Sequence, residues 1–145
     1  MKEQQVQDGE KQAAKDALTG YLRDHGVDQY CLELLWRTVI AFQNYPFTTC
    51  GRGTRPGIAF RYTVSVDVGR SGRRYQGTCV DGYGNELFID GKERSISRST
   101  VELAFRKGVE VMVQEGRVSG PRKLGVPGAR SYLYGMFLEF GVIRR

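Results

Sequence analysis

Between residues 44 and 59 the spacing of apolar side chains changes from helical to alternate, and that change fixes the kind of fold open to the chain. Upstream, Ala13, Ala14, Leu18, Tyr21 and Leu22 recur at helical intervals, as do Cys31, Leu34, Leu35, Thr38, Val39 and Phe42. Downstream, Phe60, Tyr62, Val64 and Val66 alternate with Ala59, Arg61, Thr63 and Ser65, the signature of a strand with one face buried. A chain with helical period first and strand period next cannot be all-helical or all-strand.

Local signals set the element ends. The first helix is predicted from about Glu10 to His25, with residues 1–9 as a polar, frayed tail and residues 10–145 as a single domain. Gly26 is a C-cap candidate, and His25 before it complements the negative helix end. Asp28 is placed to cap a second helix, Gln29 to about Asn44, which Pro46 stops. A loop is expected over residues 47–57. Strands follow over 59–66, 75–80 and 86–90, with turns at 69–72 and 81–85. Ser99 and Glu102 have capping-box spacing, predicting a helix from there to about Glu115, stopped by Gly116, with Val101, Ala104, Phe105, Val109 and Met112 inward. A last helix is expected from Ala129 to Phe140, ended by Gly141, with Tyr132, Leu133, Met136, Phe137 and Phe140 apolar. The predicted fold is α+β: an N-terminal helical pair, a three-stranded antiparallel meander and two C-terminal helices in one compact domain.

Composition bounds the function. At 145 residues, 40 % apolar and 26 % charged, the chain suits a globular domain rather than a disordered one. The longest apolar run, Val39 to Phe42, is far short of the roughly 20 residues a spanning helix needs, and no apolar segment follows Met1 as an export signal would, so no membrane partner is expected. Three cysteines, Cys31, Cys50 and Cys79, without a Cys-x-x-Cys pair, read as reduced thiols in a cytoplasmic protein. His25 is the single histidine, so neither a Cys–His nucleophile nor a zinc site is expected. Asp81, Glu86 and Asp90 lie near strand ends, but turn chemistry accounts for Asp81 before Gly82 and Asp90 before Gly91. No catalytic residues, metal ligands or cofactors are assigned.

The net charge of +6 is unevenly spread. Residues 49–74 carry six arginines against one acid, and residues 117–145 carry six cations against one acid. Residues 1–48 and 75–116 each carry five basic and seven acidic side chains. Arginine dominates, and its planar fork suits phosphate. The first stretch supplies Arg52, Arg55, Arg61, Arg70, Arg73 and Arg74, interleaved with Phe60, Tyr62 and Tyr75. The second supplies Arg122, Lys123 and Arg130 around a Gly/Pro-rich loop at a helix start, where exposed amides favour an anion. It lacks the Gly-Lys-Ser/Thr ending of a P-loop.

Ser97-Arg98-Ser99-Thr100-Val101, with Ala104, resembles the start of the recognition helix in bacterial helix-turn-helix regulators. That resemblance, confined to residues 97–104, implies Arg98, Ser99 and Thr100 at DNA, with Val101 and Ala104 packed inward.

The leading expectation is a non-enzymatic module that binds nucleic acid through its phosphates. The alternatives are a protein-interaction or homo-oligomeric adaptor, and a binder of a small phosphorylated ligand on the 120–130 loop. Charge reversal of Arg70, Arg73 and Arg74 to Glu is expected to weaken polynucleotide binding at low salt, measured by fluorescence anisotropy, and to flatten its salt dependence.

Overall fold

The computed structural model describes residues 2–51, 54–66, 80 and 82–145, so the expected 69–72 turn, the 75–80 strand apart from Val80, Asp81 and Cys79 lie outside the described residues. Helix α1 spans Lys2–His25 and α2 spans Gln29–Ala41. Strands β1 (Phe47–Thr48), β2 (Ala59–Phe60), β3 (Tyr62–Val66), β4 (Tyr83–Ile89) and β5 (Ser95–Ser97) follow. Helix α3 (Arg98–Glu115), a short 3-10 helix (Pro121–Leu124) and α4 (Arg130–Phe140) complete an α+β fold.

Helix α1 begins two turns before the expected start. Helix α2 is capped as its sequence indicates: Asp28 Oδ1 accepts the Cys31 N–H at 2.9 Å. The chain leaves α2 at Phe42, and Asn44 takes φ 64° before Pro46. Every expected inward residue of this helix, from Cys31 to Phe42, is buried.

The alternating segment is divided between two sheets. Phe60 pairs with Phe47 and Ala59 with Thr48 in a small antiparallel ribbon, so part of the expected 47–57 loop is strand. Past Arg61 the chain joins a three-stranded antiparallel sheet of order β3-β4-β5. Tyr62 there faces Ile89, Val64 faces Leu87 and Ile96 faces Leu87 from the other side. The register slips between Val64 and Val66, and this irregularity turns Val66 out to 68 % exposure although simple alternation puts it inward.

Further sequence assignments change. Residues 83–85 are strand rather than turn, because the chain reverses tightly at Val80 and Gly82 (Tyr83 N–H to Val80 O, 2.9 Å). The segment expected as the third strand, 86–90, therefore lies in the middle strand of the described sheet. Residues 95–97, too short and too polar to show a period, form its third strand. The cap of α3 is Ser97 instead of Ser99: its Oγ accepts the Thr100 N–H at 3.1 Å. Glu102 is released from a capping role and pairs with Arg98.

That pair lies in the core. Arg98 is 1 % exposed, with its guanidinium 5.6 Å from the centre of the Trp36 ring. Its Nε donates to Glu102 Oε2 at 3.3 Å and its Nη1 to Asn85 Oδ1 at 3.1 Å. Trp36, fully buried, donates Nε1–H to the Gly84 carbonyl at 3.0 Å. One polar cluster thus joins α2, β4 and the first turn of α3. Around it Leu35, Val39, Tyr62, Leu87, Phe105, Leu133, Phe137 and Phe140 form a continuous apolar core. Helix α4 presses directly on β1: a Cβ at Gly135 would stand 2.8 Å from the Thr48 carbonyl oxygen.

Arg98→Ala is expected to cost about 3–5 kcal/mol in denaturant unfolding, because it leaves Glu102 and Asn85 facing a void beside Trp36. Trp36→Phe is expected to cost about 1–3 kcal/mol by orphaning the Gly84 carbonyl.

The α1–α2 corner carries a pH signature. The Tyr21 hydroxyl and the Cys31 N–H both donate to Asp28, holding its carboxyl below its ordinary 3.8, and the first bond pushes Tyr21 up to about 12. A lowered folded-state value means that this contribution is complete above pH 3.8 and is lost as pH falls through the depressed value. Asp28→Asn keeps a capping oxygen but removes the titration, so its melting temperature is expected to decline less than that of the parent chain on acidification below pH 3.8.

Candidate functional site

The 3-10 helix, the loop after β1 and the start of α4 enclose a cleft of about 140 Å³. Its walls are Cys50, Gly51, Pro121, Arg122, Arg130 and Ser131. Both of its cations, Arg122 and Arg130, come from the second basic stretch, while the described part of the first contributes the uncharged Cys50 and Gly51.

Each wall is fixed by its own local chemistry. Thr49 pins the loop base twice: its N–H donates to the Ile58 carbonyl at 2.8 Å, and its Oγ1 accepts the Ile58 N–H at 2.8 Å. Gly57 sits so close to the Thr49 carbonyl that a side chain there would collide with it. The 3-10 helix is anchored by Leu124, buried against Gly108 of α3, where a Cβ would already be 3.1 Å from Leu124 Cδ2. Upstream of it, Val118 is held by the buried Tyr134 hydroxyl, which donates to its carbonyl at 2.6 Å, and by its own N–H to the Arg144 carbonyl at 2.7 Å. Burial pushes the Tyr134 hydroxyl up, keeping it a protonated donor.

The third wall is a helix amino end. Ala129 stands at the N-cap of α4 and offers no side-chain acceptor to the first-turn N–H groups. Arg130 and Ser131 follow on the cleft side. Arg122 is exposed and Arg130 half-buried, and among the described residues neither makes an ion pair. No lining residue is acidic. The cleft thus combines two guanidinium groups with the positive end of a helix that has no side-chain cap.

The other candidate residues are placed differently. Arg55 is exposed on the loop that leads into β2, without an ion pair among the described residues. Arg61 is exposed at the crossing between the two sheets, where its Nη1 donates to the Asn44 carbonyl. Lys123 points away from the cleft into an ion pair with Glu115, 3.2 Å between Nζ and Oε2. Arg52, Arg70, Arg73 and Arg74 lie outside the described residues. Of the residues the helix-turn-helix resemblance puts at DNA, Ser99 is exposed, Thr100 half-buried and Arg98 buried against Trp36, and the element before α3 is strand β5.

Cys50 lines the cleft as a free thiol, and Cys31 is free and buried, with its thiol pushed up to about 11 chiefly by burial. Among the described residues there is no group of three or more His, Cys, Asp or Glu side chains able to hold a metal ion, and no helix is long and apolar enough to cross a membrane. The chain matches no protein-family model, and neither a curated protein nor a solved structure is significantly similar to it.

Sequence reasoning missed a second opening. A groove of about 800 Å³ lies on the other side of the α4 amino end, between the β4–β5 connection and residues 127–132. Its cations, Lys92 and Arg94, fall in a segment whose summed charge is negative, so the regional count hid them. The signal available was the local run Lys92-Glu93-Arg94 beside a three-residue strand.

Proposed function

We propose that the protein is a non-enzymatic module that binds nucleic acid through its phosphates. The observation that carries this reading is the 140 Å³ cleft in which Arg122 and Arg130 of the second basic stretch flank the uncapped start of α4 without an acidic partner. A cleft of this size accommodates a phosphate group, and a guanidinium on either side can grip its oxygens in the bidentate manner arginine favours. Exposed Arg55 and Arg61 extend positive charge from the first stretch and supply further phosphate contacts. Arg52, Arg70, Arg73 and Arg74 belong to the same proposal by sequence. Lys123 contributes less, because Glu115 already neutralises it.

The physical expectation is affinity that falls steeply with salt, the slope of log K against log salt being roughly −0.9 for each duplex phosphate neutralised and −0.7 for each single-strand phosphate. The double reversal Arg122→Glu, Arg130→Glu is expected to abolish anisotropy-detected binding of a labelled oligonucleotide at low salt. The reversal Arg106→Glu, Lys107→Glu on the exposed side of α3 changes net charge equally and is expected to lose far less. Equal losses from the two pairs would reject the cleft as the contact site.

A further inference from the structure

The groove beyond α4 is several times larger than a phosphate requires, and its walls are chemically divided. One part is apolar: Ile89 and Ile96 from adjacent strands, and the ring of Tyr132. Tyr132 is held in place by an edge-on contact with Phe60, 5.0 Å between ring centres at 71°. The other part is cationic. Lys92 and Arg94 are exposed on the β4–β5 connection and make no ion pair among the described residues, and Glu93 between them is the one acid of the lining. Ala129, the N-cap of α4 that lacks a side-chain acceptor, closes the same groove. The volume falls in the range of ordinary small-molecule sites, about 300–1,000 Å³.

An occupant must therefore present a negative charge to Lys92 and Arg94 and a flat, weakly polar body to Tyr132, Ile89 and Ile96. We infer that the groove between β5 and the start of α4 is a binding site for a nucleoside monophosphate unit, with the phosphate at Lys92 and Arg94 and the base against Tyr132. Base-on-aromatic contact is tolerant of base identity, so the site selects the nucleotide class rather than one base. Such a unit can come from a free nucleotide or from the end of a single strand. The inference is independent of the strand-binding reading above, since the groove uses neither Arg122 nor Arg130.

The test uses the full chain, isotopically labelled, titrated with adenosine 5′-monophosphate, with adenosine, with inorganic phosphate and with a 5′-phosphorylated trinucleotide. Amide shifts are followed at residues 89–97 and 127–132, in the parent chain and in the Arg122→Glu, Arg130→Glu background, which removes the neighbouring cleft. Saturable shifts in both segments with the monophosphate, and much weaker ones with adenosine or phosphate alone, are expected in both backgrounds. Shifts with the trinucleotide but not the monophosphate support the same site with the unit supplied by a strand. Lys92→Glu with Arg94→Glu is expected to weaken the interaction at least about tenfold without lowering the melting temperature, and Tyr132→Leu to weaken it while leaving inorganic phosphate binding unchanged. Absence of saturable shifts in these segments with either nucleotide up to about 10 mM overturns the inference, as does phosphate binding as tightly as the monophosphate. Loss of oligonucleotide binding in the Arg122, Arg130 variant with the groove shifts retained would separate the two sites.

Discussion

The guanidinium of Arg98 is the charge the rest of the fold is arranged around. It sits in the first turn of α3, where the helix dipole disfavours a cation, and it is withdrawn from water. A buried charge persists only if its donors are satisfied, and here the partners come from different parts of the chain: Glu102 one turn along α3, Asn85 on β4 and the Trp36 face on α2. Trp36 in turn satisfies the Gly84 carbonyl. Displacing any of these elements would strand a polar group in the core. Apolar contacts alone would let the helices slide over the sheet. The cluster gives them one register.

The fold class was legible because period is a global property of a segment. The helical stripe of α2 and the alternation of Phe60, Tyr62 and Val64 both survive in the structure. What sequence could not reveal was decided by partners far along the chain. Nothing local says that Arg61 marks a change of sheet. That depends on Phe47 being available to pair with Phe60, and on Ile89 being available to pair with Tyr62. Strand β5 was invisible because three residues cannot display a period. Ser97, Ser99 and Thr100 are all competent near a helix start. The choice of Ser97 follows from Arg98 having to point inward one residue later, a tertiary demand that local propensity does not contain.

The candidate site was legible in part for a similar reason. Arginine-rich stretches are visible as composition, but whether a cation is available depends on geometry. Lys123 and Arg122 are neighbours in sequence and opposite in fate: one is matched to Glu115, the other opens on the cleft. Regional charge sums also average over structure. Residues 75–116 sum to a negative value because Asp81, Glu86, Asp90 and Glu93 outnumber Lys92 and Arg94 ahead of α3, yet Glu93 alone of the described acids lines the groove with those two cations. A count by surface rather than by segment reverses the sign of that neighbourhood.

The first turn of α4 is a wall shared by two openings. Ala129 and Tyr132 lie on one side of the helix and Arg130 and Ser131 on the other, as the helical angle of about 100° per residue requires. Turning this helix about its axis would widen one opening by narrowing the other. The close seat of Gly135 on the Thr48 carbonyl resists such a turn. The dimensions of both openings are thus set about one and a half turns away, by the smallest residue in the helix. A bulkier residue at that position would act on the two mouths in opposite directions, as a rocker does about its pivot.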